Sequence, residues 1–314
     1  MTHTMKRLAR ALALTTVLVL SVAACSSSSD AKSTTTAKDT TTTAAKAKAT
    51  YYVSLGDSYA AGYQPSAKGV GATTTNGFAY QVPGLAEDEG FNFKLANFGC
   101  AGATTTSIIE TVGCAPAAYG PDGIQYPDTT QSQAAVDFIK EHKGDIGLIT
   151  VSIGGNDVTK CATEADPIGC VGTAVDGIKT NVSKLASELR AAAGPDVPLV
   201  GTTYPDVILG AWVTGTPEAK QLAELSVTAF KSLINPALAG VYEGAGGKLV
   251  DVTEATGAYT PLTETTTLEP YGVIPVAVAK VCQLTYFCEY QDIHPKTPGY
   301  TVIAELVVGA LPKS

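Results

Sequence analysis

Histidine is scarce in this sequence, with three in 314 residues, and no two cysteines stand in a C-x-x-C pair. His3 lies in the N-terminal leader, leaving His142 and His294 for the body of the chain, too few for the usual cysteine and histidine clusters of a metal site. Basic runs are missing as well. Lys and Arg number 21 against 29 Asp and Glu, a formal net charge of −8. Without a basic stripe, the phosphate neutralisation that dominates nucleic-acid binding has no source, so a nucleic-acid partner is excluded. No apolar run is long enough to span a bilayer comfortably. The longest candidate, Ala11 to Ala24, is interrupted by Thr15, Thr16 and Ser21.

That run follows Met5-Lys6-Arg7-Leu8-Ala9-Arg10 and ends in Val22-Ala23-Ala24-Cys25. A basic start, a short apolar stretch and small residues leading into a cysteine read as a signal peptide over residues 1–24 with a bacterial lipobox. Cys25 would then be acylated and begin the mature chain on the outer face of the cell membrane. An ordinary secretory peptide or an uncleaved anchor are the alternatives. Cleavage before Cys25 removes Lys6, Arg7 and Arg10 and moves the formal charge to −11. Residues 26–50 are Ser, Thr, Ala, Lys and Asp without a large apolar residue, a composition that cannot offset the entropy of ordering. Residues 25–50 thus read as a lipidated tether, and residues 51–314 as one globular domain.

Six of the seven cysteines fall in that domain: Cys100, Cys114, Cys161, Cys170, Cys282 and Cys288. An even number in an exported chain reads as disulfides. Fifteen connectivities are formally possible. The close spacings favour neighbours: Cys100–Cys114, Cys161–Cys170 and Cys282–Cys288.

β-prone runs occur at Tyr51 to Leu55, Asn92 to Asn97, Ile146 to Ile153, Val197 to Thr202 and Lys248 to Val252. Helical patterns lie between them, at Gly77 to Glu89, Gln131 to Glu141, Val171 to Ala193, Pro217 to Ala239 and Thr297 to Leu311. Alternating strands and helices predict an α/β fold, a mostly parallel five-stranded sheet covered on both faces. Residues 101–130 and 253–290, rich in Gly, Pro and Thr, read as loops.

Ligands of such a sheet bind beyond the carboxyl ends of its strands. After the first strand stands Gly56-Asp57-Ser58, a turn that would present the Ser58 hydroxyl there. After the second stands Gly99-Cys100-Ala101-Gly102, where Gly102 is a candidate backbone donor or a plain turn glycine. After the third stands Gly154-Gly155-Asn156-Asp157, placing the Asn156 carboxamide at the same edge. Asp292-Ile293-His294-Pro295 precedes the last helix. A serine hydroxyl needs an imidazole to take its proton, and His142, in a charged helix end, reads as solvated surface, so His294 is nominated. Asp57 and Asp157 read as turn-fixing carboxylates, and Trp212 as core packing or part of an acyl pocket. A classical α/β-hydrolase elbow is excluded, because Gly56-Asp57-Ser58-Tyr59-Ala60 lacks the last glycine of G-x-S-x-G and follows too early a strand.

Taken in order, Ser58, Gly102, Asn156 and His294, with Tyr204-Pro205 and the run His294 to Tyr300, resemble the SGNH (GDSL-type) hydrolases, named for those four residue types. The resemblance spans Tyr51 to Leu311. It implies a flavodoxin-like three-layer α/β/α sandwich, with Ser58 as nucleophile and His294 as general base. The oxyanion hole would comprise the Ser58 and Gly102 N–H groups and the Asn156 amide. It implies hydrolysis of carboxylic esters, such as acyl lipids or acylated sugars, without cofactor or metal. The family places its triad aspartate three residues before the histidine, where this chain has Gln291. Either Asp292 or the Gln291 backbone carbonyl then orients His294. An acyltransferase and a surface binding module without turnover are the competing readings.

Overall fold

The computed structural model describes residues 48–313. The expected signal peptide, Cys25 and the tether up to residue 47 lie outside the described residues. The domain is built on β1 (Thr50–Gly56), β4 (Phe93–Asn97), β5 (Ile146–Ser152), β6 (Leu199–Thr202) and β7 (Lys248–Val250). They form one parallel sheet in the order β4-β1-β5-β6-β7. The sequence order reverses at β1, between β4 and β5, which opens a crevice there at the carboxyl edge.

Two layers of helices follow from the strand alternation, since successive side chains point to opposite faces. On one face Val53, Leu55, Ile149 and Val151 pack against Ile139 of α2 (Gln131–Glu141), Ile178 and Val182 of α3 (Pro167–Ala193), and Leu238. On the other, Tyr52, Leu148 and Val200 meet Phe78 and Val82 of α1 (Phe78–Asp88) and Ile303 and Val307 of α7 (Thr297–Gly309). This is a three-layer α/β/α sandwich around a five-stranded parallel sheet. Helix α3 begins four residues before the apolar pattern suggests. Asp166 caps it by accepting from the Gly169 N–H at 3.0 Å, and Pro167 occupies its first turn.

Three segments depart from expectation. The pattern from Pro217 to Ala239 is not one α-helix: α4 (Pro217–Ala229) passes through a π-helical turn at Phe230–Ile234 into α5 (Asn235–Gly244). The expected loop at 253–290 holds an antiparallel hairpin, β8 (Thr265–Leu268) and β9 (Gly272–Pro275), and α6 (Val276–Leu284). Valines at positions 276, 278 and 281 mask the helical pattern. Ala277, Val278, Val281 and Cys282 are nevertheless buried together, in a satellite core with Leu209, Ala223 and Ile274. A second hairpin, β2 (Tyr63–Ala67) with β3 (Val70–Thr73), follows the Ser58 turn, and Pro65 in its first strand hides it from a strand pattern.

Candidate active site

Strand β1 ends in a backbone that only glycine fits. Gly56 sits at φ +139°, and a Cβ there would lie 2.0 Å from the Ser152 carbonyl oxygen of the neighbouring strand. Gln131 braces the same residue from α2. Its Oε1 accepts from the Gly56 N–H at 2.7 Å, and its Nε2 donates to the Gly56 carbonyl at 3.1 Å. Asp57 then caps the helical turn Ser58–Ala61 by accepting from the Tyr59 N–H at 2.9 Å, and it receives the Tyr204 hydroxyl at 2.6 Å. Ser58 is thereby presented at the crevice, 5% exposed.

His294 arrives from the opposite side. Its segment is pinned to the end of α6: the Tyr286 N–H donates to the His294 carbonyl at 3.0 Å, and the Lys296 N–H donates to the Leu284 carbonyl at 2.8 Å. The Cys282–Cys288 disulfide closes the turn that follows α6. His294 Nε2 lies 2.8 Å from Ser58 Oγ, and Nδ1 lies 2.7 Å from Asp292 Oδ1. The same carboxylate oxygen accepts from the His294 backbone N–H at 2.9 Å. Gln291 adopts a left-handed conformation, φ +57°, and its side-chain oxygen accepts from Lys68 on the β2–β3 hairpin at 3.0 Å.

Burial opposes ionisation of Asp292, but the hydrogen bonds and charge of His294 prevail, holding its carboxyl below the ordinary value. Asp57 moves the other way. Burial pushes it up to about 6, against the pull of the Tyr204 and Tyr59 hydrogen bonds and of His294.

The other strand ends converge on the same edge. The Asn156 Nδ2 donates to the Ala103 carbonyl at 2.8 Å, leaving its second N–H uncommitted among the described residues. Its neighbour Asp157 accepts from the Thr105 N–H at 3.0 Å and from the Thr105 hydroxyl at 2.6 Å. The Gly154-Gly155-Asn156-Asp157 turn thus clamps residues 103–105, next to Gly102, which stands at φ +88°. The Cys100–Cys114 disulfide braces this loop and Cys161–Cys170 ties the residues after Asn156 to α3.

Residues 54–302 match the GDSL-like lipase/acylhydrolase family. The chain belongs to that family. Membership makes it a hydrolase acting on esters. Among solved structures, a lipase from a goat rumen metagenome is 15% identical, covers 84% of this chain and all of its own, and superposes with a TM-score of 0.50. An extracellular lipase from Streptomyces rimosus is 16% identical over 83% of this chain and 99% of its own, with a TM-score of 0.49. A catalytic mutant of an acetylxylan esterase from Geobacillus stearothermophilus is 14% identical over 84% of this chain and 95% of its own, at 0.47. Comparison with curated proteins finds no match.

Against this family background, several residues that a sequence reading passes over surround the site. Tyr63 lies against the His294 ring with centroids 4.5 Å apart, and the Tyr59 hydroxyl donates to the Ile293 carbonyl at 2.6 Å. Gln131 carries no motif at all and is found only through its contacts. Trp212 packs on the satellite core, the first of its two expected roles, with Lys220 Nζ 5.3 Å from its ring centroid. One expectation needs correction. His142 is not simply solvated, since it stacks on Phe138 at 4.1 Å, meets Tyr51 at 4.5 Å and bonds the Phe138 carbonyl through Nδ1.

Proposed function

We propose that the chain hydrolyses carboxylic esters through an acyl-Ser58 intermediate. The observation that carries this reading is the imidazole of His294, hydrogen-bonded to Ser58 Oγ through one nitrogen and to Asp292 through the other. As Ser58 Oγ attacks the ester carbonyl, its proton passes to His294 Nε2, and Asp292 stabilises the imidazolium so formed. Negative charge gathers on the carbonyl oxygen, where the Ser58 and Gly102 backbone N–H groups and the free N–H of Asn156 would receive it. Each such donor is typically worth about 3–4 kcal/mol of transition-state stabilisation. The C–O bond to the alcohol breaks, and His294 returns the proton to the departing oxygen. Water then attacks the acyl carbon, giving its proton to His294. The carboxylic acid leaves as Ser58 recovers its hydrogen.

Fluorophosphonate labelling of the full chain, with the adduct located by peptide mass spectrometry, tests the assignment. The expected result is one adduct at Ser58, lost in Ser58→Ala and His294→Ala. An adduct on another serine, or none in a folded sample, overturns it. Three disulfides among the described residues fit an exported chain. The lipid anchor at Cys25, with residues 25–50 as its tether, belongs to the same proposal. It predicts that Cys25→Ala releases the protein from the membrane fraction.

A further inference from the structure

Tyr204 belongs to none of the strand-end turns that carry Ser58, Gly102 and Asn156, yet its side chain touches two of them. It stands just beyond β6, 7% exposed, and its backbone is fixed by Thr253, whose hydroxyl donates to the Tyr204 carbonyl at 2.7 Å. The Tyr204 hydroxyl donates to Asp57 Oδ2 at 2.6 Å. The Tyr204 ring lies on the Gly155 backbone, so closely that a Cβ on Gly155 would stand 3.0 Å from it. One buried side chain thus connects the residue before Ser58 with the residue before Asn156.

The charge on Asp57 decides how firmly this connection holds. Its carboxylate is buried and each oxygen receives one donor, the Tyr59 N–H on Oδ1 and the Tyr204 hydroxyl on Oδ2. Hydrogen bonds to an ionised acceptor are roughly twice as strong as neutral ones. A proton added to Asp57 removes that charge, weakens the cap of the Ser58 turn and itself needs an acceptor. The Tyr204 oxygen is within reach, and taking it turns Tyr204 from donor to acceptor. The phenol hydrogen can then swing to the Ser152 hydroxyl, which is buried close to the Tyr204 oxygen and has no hydrogen-bond partner among the described residues.

The groups that face Asp57 come from four parts of the fold. Tyr59 of its own turn, Tyr204 after β6 and Tyr300 of α7 are phenols that burial above all keeps un-ionised. His294, before α7, draws Asp57 toward ionisation, and Asp157, after β5, opposes it. Burial dominates and pushes Asp57 up to about 6, while the Tyr204 bond pulls it down, so losing that bond raises it further. We propose that Tyr204 is a positioning residue for the hydrolysis, which keeps Asp57 ionised and through it holds the Ser58 turn in register with the Asn156 turn. The proposal rests on the assignment of Ser58 as nucleophile.

The test is the pH dependence of kcat/KM for a p-nitrophenyl ester, measured on the full chain from about pH 4 to 8 for the parent, Tyr204→Phe and Asp57→Asn. In the parent both His294 and Asp57 must shed a proton, so the acid limb should be steeper than one ionisation allows. Tyr204→Phe keeps the ring on Gly155 and removes only the hydroxyl. Its acid limb should move toward neutral by about half a pH unit or more, an extra loss of roughly threefold there that the plateau does not share. Asp57→Asn should leave a limb of one ionisation on a lowered plateau. A rate that falls equally at every pH in Tyr204→Phe overturns the proposal and leaves Tyr204 as packing. Imidazole nitrogen NMR, with the His294 signals assigned by their loss in His294→Ala, reads the same coupling without turnover. Those signals should carry an inflection that Tyr204→Phe moves toward neutral and Asp57→Asn abolishes. If no ester is hydrolysed and the inflection behaves so, the catalytic reading fails while the coupling of Tyr204 and Asp57 to His294 stands. Hydrolysis with an unmoved limb and no inflection sinks the coupling alone, and an inactive chain without the inflection sinks both.

Discussion

The hydroxyl of Tyr59, the residue after Ser58, donates to the carbonyl of Ile293, the residue before His294, at 2.6 Å. One part-buried bond therefore ties the two halves of the site together. Tyr59→Phe keeps the ring and its edge contacts with Tyr204 and Tyr300, at centroid distances of 4.9 and 5.9 Å, and removes only this bond. Small misplacements at a reacting centre are expensive. The expected outcome is a kcat lower by about tenfold or more with KM little changed, read from steady-state kinetics on a short-chain ester. A kcat equal to the parent's would show that the His294 loop is held well enough by its bonds to α6.

Asp292 is expected to work through His294 alone. Its carboxylate takes both the ring and the backbone N–H of that residue, and His294 in turn holds its carboxyl below the ordinary value. Asp292→Asn keeps the shape but weakens the preference for the Nδ1–H tautomer, so kcat should fall by on the order of 10³–10⁴ with the fold intact. Steady-state kinetics with a circular dichroism control checks this. A loss below tenfold would shift the orienting role to a backbone carbonyl.

The parallel sheet and the residues at its strand ends were legible because each strand is a short apolar run that stops at a turn signal. Gly56-Asp57-Ser58 and Gly154-Gly155-Asn156 are such stops. The bracing was not legible, for a physical reason. Gln131 and Tyr59 act through single long-range hydrogen bonds, and no local pattern encodes a partner 75 or 234 positions away. Helix α6, which fixes the His294 loop, is valine-rich and is helical because its buried face completes the satellite core, a tertiary effect that overrides propensity.

Asp206 gives the fold a pH-dependent weakness. It is fully buried, Ser226 donates to one carboxylate oxygen at 2.8 Å, and burial pushes its pKa up to about 7 against that bond. Well below pH 3.8, folded and unfolded chains both hold the proton. As pH rises to about 7 the unfolded chain releases it first, so the native state is destabilised progressively across that window and levels off above it. Asp206→Asn retains an acceptor for Ser226 and removes the titration. Melting temperatures measured from pH 4 to 8 should show the variant gaining on the parent as pH rises, by about 4 kcal/mol at most. Parallel curves would mean that Asp206 ionises in the native state without cost.

The Cys161–Cys170 disulfide joins the segment after Asn156 to the first turns of α3, and Cys161 itself lines the apolar cavity beside Ser58. Its loop is short, so constraining the unfolded chain should contribute about 2–3 kcal/mol to stability. The structural consequence is more selective than the thermodynamic one. The crosslink holds Ile168 and Val171 against the cavity, while Ser58, Gln131 and His294 are braced elsewhere, by α2 and α6. A Cys161→Ser/Cys170→Ser double variant should therefore melt lower yet keep its acetate ester hydrolysis below the transition. Loss of acetate hydrolysis below the transition, read from steady-state kinetics, would show that the disulfide also holds Asn156 in place.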